Sequence, residues 1–343
     1  MKRLSIIVPV YNVELYVERC LRSLENQDIP KDDYEIICVN DGSPDDSRRV
    51  VIHMQNEFDN IVLVDQENHG VSCARNKGID NANGKYLLFI DPDDYVYTNC
   101  FANILKKADE QEAQVSFLGY TILNKEGIIY KVVINNLYKN KVYSGLEVYF
   151  LARGDGRNDP DRMVAVLFET DFLNRNNLRY LPNVPYLEDG EFIARILCLA
   201  ERCIIDVHTF YQRTTRQGSA TNSNLFHSEK ATNGFLLAAD NLKRFQQKPN
   251  LNEKQKDFLN QPIIQFVALV IASGGKPFSI KRLGDLKRKL IKSGLRKVKL
   301  DSANELYATL GYLYNKSICL LLFYQFLIDG LHSLRLRINR IKS

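Results

Sequence analysis

The sequence has no tryptophan, few histidines and no cysteines in a C-x-x-C pair. Its five histidines, at positions 53, 69, 208, 227 and 332, give imidazole chemistry or a His-rich metal site little to work with. The seven cysteines, at 20, 38, 73, 100, 198, 203 and 319, are odd in number and lack any accompanying His spacing. That pattern speaks for reduced thiols inside a cell and against a zinc site. Repeats and low-complexity tracts are absent. Long apolar runs are lacking too. The opening stretch MKRLSIIVPVYN has a basic start but no small-residue cleavage site before polar Asn12 and Glu14, so it reads as a buried strand and not a leader. Residues 317 to 328, SICLLLFYQFLI, are too few to span a bilayer and read as a buried or interfacial helix.

What is present suffices for a large core. A chain of 343 residues, 45% of them hydrophobic, is expected to form one large domain plus a smaller one. The net charge of +5 is unevenly spread. Residues 276 to 343 hold fifteen Lys or Arg against four Asp or Glu, a net +11, which leaves −6 for residues 1 to 275.

Four apolar runs in the first hundred residues, Leu4 to Val10, Tyr34 to Val39, Asn60 to Val64 and Lys85 to Ile90, read as buried strands. Helical spacing follows the first three: Val17, Leu21 and Leu24, then Val50, Val51, Met54 and Phe58, then Val71, Ala74, Ile79 and Ala82. This βαβα order predicts an α/β fold, a doubly wound and mostly parallel sheet with helices on both faces. Ser43 is expected to cap the second helix, with Pro44 at its first position and Asp46 completing a capping-box variant. Residues 115 to 225 are mixed, with short strands at Val115 to Leu123 and Ile128 to Ile134 and a helix from Asp189. Residues 226 to 343 read as mainly helical, broken at ASGGKP (272 to 277).

Open α/β sheets bind ligands outside the carboxyl ends of their strands. Pro9 to Asn12, Asn40 to Ser43 and Asp91 to Asp94 all fall at such ends, so three polar clusters are expected to share one crevice. Asp91, Asp93 and Asp94 directly follow the apolar Leu87 to Ile90. Three carboxylates so close repel one another unless water solvates them or a divalent cation lies between them. Two readings stand side by side: an exposed acidic turn, or an oxygen-only site for Mg²⁺ or Mn²⁺. Asp41 in VNDGSPDDS sits where a carboxylate can accept from a base N–H or a ribose hydroxyl, beside Gly42 that lets backbone approach closely.

The runs SIIVPVYN (5 to 12), VNDGSPDDS (39 to 47) and NHGVSCARNKGIDNANGKYLLFIDPDD (68 to 94), in that order and spacing, resemble the family 2 glycosyltransferases, whose nucleotide-binding half has the GT-A fold. The likeness is close to about residue 100, extends to about 225 and stops there. It implies a donor-binding half at residues 1–115 and an acceptor-binding half at 116–225; charge and pattern leave 226–343 as a basic helical region. It also implies that Pro9, Tyr11, Asn12 and Asp41 line the base and ribose pocket and that Arg75 and Asn76 lie near the nucleotide sugar. Asp91 and Asp93 match the DxD motif, with Asp93 nearest the metal and Asp94 beside it.

On the acceptor side, Asp189 in YLEDGEF (186 to 192) matches the carboxylate that serves as general base, with Glu188 as the alternative. Arg213 and Arg216, in FYQRTTRQGSAT (210 to 221), fall where the family closes over the diphosphate. The reaction implied is inverting and metal-dependent. It moves a sugar from a nucleotide donor, UDP-linked, to a saccharide or lipid-linked saccharide of the bacterial surface. The chain departs from the family's processive polymerases in having no QxxRW motif, which points to single additions.

Two other readings remain at this stage: a nucleotidyltransferase, although PVYNVELY carries no Gly-rich phosphate loop, and a nucleotide-sugar-binding protein without turnover. The basic clusters at 281–299 and at Arg335, Arg337, Arg340 and Lys342 flank the apolar stretch 317–328. They suit a cytoplasmic protein in contact with the anionic inner face of the membrane. No aromatic interleaves the run from 279 to 299, which argues against nucleic acid.

Overall fold

The computed structural model describes residues 2–124, 126–133, 141–152, 163–214, 224–275, 279–300 and 305–328. It divides into two compact units, Met1–Asn183 with Glu188–Ser219, and Val184–Leu187 with Ala220–Ser343.

In the first unit, β1 (Lys2–Val10), α1 (Val17–Glu25), β2 (Tyr34–Asp41), α2 (Ser47–Glu57), β3 (Ile61–Gln66), α3 (Val71–Asn81) and β4 (Gly84–Phe89) alternate as the apolar periodicity predicts. There follow β5 (Tyr95–Val96), α4 (Phe101–Glu110), β6 (Val115–Leu123), β7 (Ile129–Val133), β8 (Val142–Tyr143), α5 (Gly145–Ala152), β9 (Val166–Glu169), α6 (Thr170–Arg175), α7 (Glu188–Leu199) and β10 (Cys203–Arg213). One sheet runs β3-β2-β1-β4-β9-β6-β10-β5, with β7 beside β6 and β8 beside β10. The strands β3, β2, β1 and β4 are mutually parallel. Beyond them β9, only four residues long, pairs antiparallel with both β4 and β6.

Strand alternation sends successive side chains to opposite faces, and both faces are covered. Leu4, Ile6, Val8 and Val10 pack with Val17, Cys20, Leu21 and Leu24 of α1, Val51 and Met54 of α2, and Phe101, Ile104 and Leu105 of α4. On the other face, Ile37 and Val39 pack on Ala74 of α3. Gly78 allows that close approach, since a Cβ there would stand 2.4 Å from Cγ2 of Ile7. The spacing of residues 17, 20, 21 and 24 makes α1 amphipathic, and truncating a fully buried member such as Leu24 to Ala costs about 2–5 kcal/mol.

The start of α2 differs from expectation. It begins at Ser47, three residues later than a Ser43 cap requires, and Asp46 makes no side-chain cap. Ser43 Oγ instead donates to the Val10 carbonyl at 3.2 Å. The turn is fastened by Asp45, whose carboxylate accepts from the Ser47 amide (3.2 Å), the Ser47 hydroxyl (2.5 Å) and the Glu14 amide (2.9 Å). The loops after β1 and β2 are thereby tied together, a long-range demand that outcompetes the local cap.

The second unit is helical: α8 (Glu229–Gln246), α9 (Glu253–Gly274), α10 (Ile280–Lys292), α11 (Glu305–Lys316) and α12 (Ile318–Ile328). Ser228 caps α8, and Asn252 with Gln255 forms a full capping box on α9. Among the described residues α9 is the one helix long and apolar enough to cross a membrane, and most of it is buried inside the unit.

Candidate active site at the ends of the parallel strands

Because β2, β1 and β4 are adjacent and parallel, with Val10 opposite Asn40 and Ile7 opposite Phe89, their carboxyl ends share one edge of the sheet. Pro9 to Asn12, Asn40 to Ser43 and Asp91 to Asp94 therefore come together, as the periodicity predicts. Pro9 is buried within β1, Tyr11 is exposed, and Asn12 turns the chain with φ +54°.

The acids at this edge are held in different ways. Asp41 is buried, and its Oδ1 accepts from Gln66 Nε2 (2.7 Å) and the His69 amide (2.9 Å) while Oδ2 accepts from the Gly70 amide (2.9 Å). Gly42, at φ +64°, is where the same loop passes: a Cβ would meet the Asn68 nitrogen at 2.9 Å. Asp41 thus fixes residues 66–70, which lead into α3. Asp94 is also buried, accepting from Tyr211 Oη and from the Thr214 amide, both at 2.6 Å. Burial, with the nearby charges of Asp91 and Asp93, pushes its carboxyl up to about 8. Asp91 and Asp93 remain partly exposed.

Asp91 Oδ1 accepts from Arg75 Nη2 at 3.2 Å. The other terminal nitrogen of Arg75 donates to Glu188 Oε1 (2.8 Å) and Asp189 Oδ1 (3.1 Å), at the first turn of α7. Acids nearly a hundred positions apart in sequence thus meet on one guanidinium. Asp189 keeps 26% of its side chain exposed. Burial pushes its carboxyl above the usual range; Arg75 opposes this, and the Glu188 and Asp91 charges add to it. Asn76 does not reach this cluster. Its amide bonds the backbone of Tyr180 on both sides, Nδ2 to the carbonyl at 2.9 Å and Oδ1 from the amide at 2.7 Å.

Arg213 ends β10, half-buried. Burial works against its charge, but Asp94, Tyr120, Asp91 and Tyr211 together outweigh it and raise its pKa. Arg216 lies outside the described residues.

Among the described residues no three His, Cys, Asp or Glu side chains close on a common point. Asp94, with both oxygens engaged and buried, is not placed as a ligand. Asp91 and Asp93, partly exposed after β4, fit the one or two carboxylates that Mg²⁺ or Mn²⁺ uses beside phosphate oxygens.

Three residues of this site went unread in the sequence: Tyr180, Tyr211 and Thr214. Tyr180 Oη lies 3.4 Å from Asp189 Oδ1, and its ring lies under Arg75 at 5.1 Å and stacks on Phe192 at 4.0 Å. Nothing local marks them, because each acts through a contact with a segment about nine to 120 residues away.

A doubly wound sheet that gathers acids at the ends of its parallel strands, followed by an antiparallel portion and a helical region, defines a GT-A-type chain. Residues 5–161 match the model of glycosyl transferase family 2, and the resemblance of the three motifs is borne out. Among relatives, the chain is 35% identical over 148 residues to glycosyltransferase GlyA of Streptococcus pneumoniae, covering 43% of this chain and 21% of that one. It is 29% identical over 221 residues to the minor teichoic acid biosynthesis protein GgaB of Bacillus subtilis, covering 63% of this chain and 23% of that one. The chain thus spans under a quarter of the length of these two relatives. A solved structure of S. aureus TarS 1-349 in complex with UDP-GlcNAc has the same fold, with TM-score 0.67 at 21% identity, covering 93% of this chain and 89% of that one.

Proposed function

We propose that this chain transfers a sugar from a UDP-linked donor to a saccharide or lipid-linked saccharide in bacterial cell-wall glycopolymer synthesis. The observation that carries the reading is the meeting of Asp91, from the end of β4, with Glu188 and Asp189, from the start of α7, around Arg75. An acid set for the leaving group and an acid set for the nucleophile stand at one place. The UDP-GlcNAc held by the similarly folded TarS supports a nucleotide-sugar donor at this edge, and teichoic acid synthesis by GgaB supports a cell-wall product.

In this reading Pro9, Tyr11, Asn12 and Asp41 border the nucleoside, with Asp41 acting both as loop fastener and as pocket wall. Asp91 and Asp93 would hold Mn²⁺ or Mg²⁺, which would supply positive charge against that of the departing diphosphate. Arg213 and Arg216 add cationic donors for the phosphates. Asp189 removes the proton of the acceptor hydroxyl as its oxygen bonds to the anomeric carbon. The bond from that carbon to the β-phosphate oxygen breaks, and its electron pair leaves with UDP. Attack opposite the leaving group inverts the centre. A carboxyl with a raised pKa is better matched to this proton transfer near neutral pH than an ordinary aspartate. Glu188, bonded to Arg75 at 2.8 Å and less exposed than Asp189, serves better as its support than as the base.

The second unit supports a membrane-facing placement for the enzyme, on the cytoplasmic side. Lys281, Arg282, Lys287, Arg288, Lys289 and Lys292 stud α10, whose Leu283, Leu286 and Leu290 face inward. On α12, Leu320, Phe323 and Leu327 are exposed at 49%, 62% and 50%, one apolar stripe without a charged residue. Basic and apolar surface together suit an anionic bilayer. Arg335, Arg337, Arg340 and Lys342 lie outside the described residues.

Two measurements test these readings. Titration calorimetry with UDP and Mn²⁺, then a hydrolysis screen of UDP-glucose, UDP-galactose and their N-acetyl forms, is expected to show binding and slow turnover of one donor. Binding without any turnover refutes the transferase. Sedimentation with phosphatidylglycerol vesicles is expected to pull down the full chain, and less of a Leu320→Ser, Phe323→Ser, Leu327→Ser variant. Equal sedimentation removes the membrane placement.

A further inference from the structure

Arg75 sits on α3 with only 6% of its side chain exposed, yet it faces three carboxylates. One positive charge against three negative ones does not neutralise the cluster. What the guanidinium does supply is geometry, because its planar fork fixes several acceptors at once. The next residue, Asn76, clamps the backbone of Tyr180 from both sides. Tyr180 in turn stacks on Phe192 of α7, meets Phe89 of β4 edge-on at 5.7 Å, and points its hydroxyl at Asp189. Two consecutive residues of α3 therefore locate the start of α7, one through its carboxylates and one through Tyr180. The backbone entering α7 also needs such holding, since Leu187 adopts φ +57°, a conformation costly for leucine.

We propose that Arg75 is a positioning residue that sets the distance between the leaving-group acid Asp91 and the base Asp189, acting on turnover and not on donor affinity. This rests on the transferase reading above. A misplacement of about 1 Å at a reacting group can cost on the order of 100-fold, so the expected effect is large in kcat and small in binding.

The test uses the full chain, UDP with Mn²⁺ in calorimetry, and hydrolysis of the UDP-sugar that the wild type turns over fastest. Arg75→Met is expected to leave the Kd for UDP within about threefold while kcat falls about 100-fold. Arg75→Lys, which keeps the charge but loses the fork, is expected to fall in between. In an Asp189→Asn background, Arg75→Met is expected to cost little more, because residues acting as one unit are not additive. The proposal is overturned if UDP affinity drops as far as kcat, which makes Arg75 a donor ligand. It is equally overturned if the two substitutions multiply in full. Should Arg75→Met fail to fold, Arg75→Lys in both backgrounds decides by the same criteria. If the wild type hydrolyses no UDP-sugar at all, the donor reading itself has failed, which is a separate result.

Discussion

The two compact units treat charge in opposite ways. In the first, Glu25, Glu35, Asp41, Arg75, Asp94, Glu191, Arg195 and Asp206 are all buried, whereas the buried polar residues described in the second are the neutral Thr232, Gln246, Asn260, Gln261 and Ser273. The second unit carries its charge outward, on α10. Burying a charge is expensive unless it is paired and hydrogen-bonded, and a buried pair gives little net stability over an apolar one. A unit that keeps several such groups is maintaining a geometry rather than maximising stability. The helical unit, with capped helices and an apolar interior, is built the cheaper way.

The largest expected effect separates activity from stability within the first unit. Asp93 is partly exposed, and its backbone carbonyl accepts from Arg19 (2.7 Å) and Thr214 (2.8 Å), two bonds that a side-chain substitution leaves in place. Asp93→Ala is expected to lower transfer or donor hydrolysis by roughly 1,000-fold, about 4 kcal/mol in barrier, with the melting temperature nearly unchanged. Full activity in a folded Asp93→Ala protein would remove the metal-site reading of the DPDD segment.

A smaller effect probes what burial does to Asp94. Its folded-state pKa of about 8 lies above the ordinary carboxylate value, so between roughly pH 4 and pH 8 the folded protein holds a proton that the unfolded chain has lost. The associated stability is full below that window and is lost as pH rises through it, with a slope of at most about 1.4 kcal/mol per pH unit. In Asp94→Asn the amide can still accept from the Thr214 nitrogen and donate to Tyr211, so it mimics the protonated acid and the pH slope of the melting temperature between 5 and 8 should flatten. Parallel slopes in the two proteins would show that Asp94 stays ionised in the fold.

The legibility of the chain follows the same division. The parallel strands and α1 to α3 were readable because each is an apolar run or a 3.6-residue stripe complete in itself, and the helical character of residues 226–328 was readable for that reason too. In the antiparallel part β6 and β7 were readable as apolar runs, but β9 was not: it has four residues, and its central place between β4 and β6 depends on partners more than 45 residues away in sequence. In the candidate site, sequence marked the acids and Arg75 by their family motifs. It could not tell Asp94, engaged by Tyr211 and Thr214, from Asp93 one residue before it, because that difference is made by β10 and the residue after it.

The smallest effect concerns the loop that carries Asp41 toward α2, where local and long-range fastening competed. If Ser43 were a helix cap, Ser43→Ala would cost about 1 kcal/mol. Its hydroxyl instead makes one 3.2 Å bond to the Val10 carbonyl at the edge of the site, so the expected loss is nearer 0.5 kcal/mol, the lower end for a single hydrogen bond. Asp45→Ala should cost more, about 1–2 kcal/mol, because three donors lose their acceptor together. Burial pushes the Asp45 carboxyl up, but the bonds from Ser47 and Glu14 outweigh it and hold the pKa below the ordinary value. Its contribution is therefore present above the unfolded pKa and lost as pH falls through the lowered folded one. Urea denaturation of both variants at pH 7 and again near pH 3 checks the order. At pH 7 Asp45→Ala should be the weaker protein, and at the acid end the gap between the two should narrow. A larger loss in Ser43→Ala at neutral pH would restore the local cap and leave the Asp45 bonds without energetic weight.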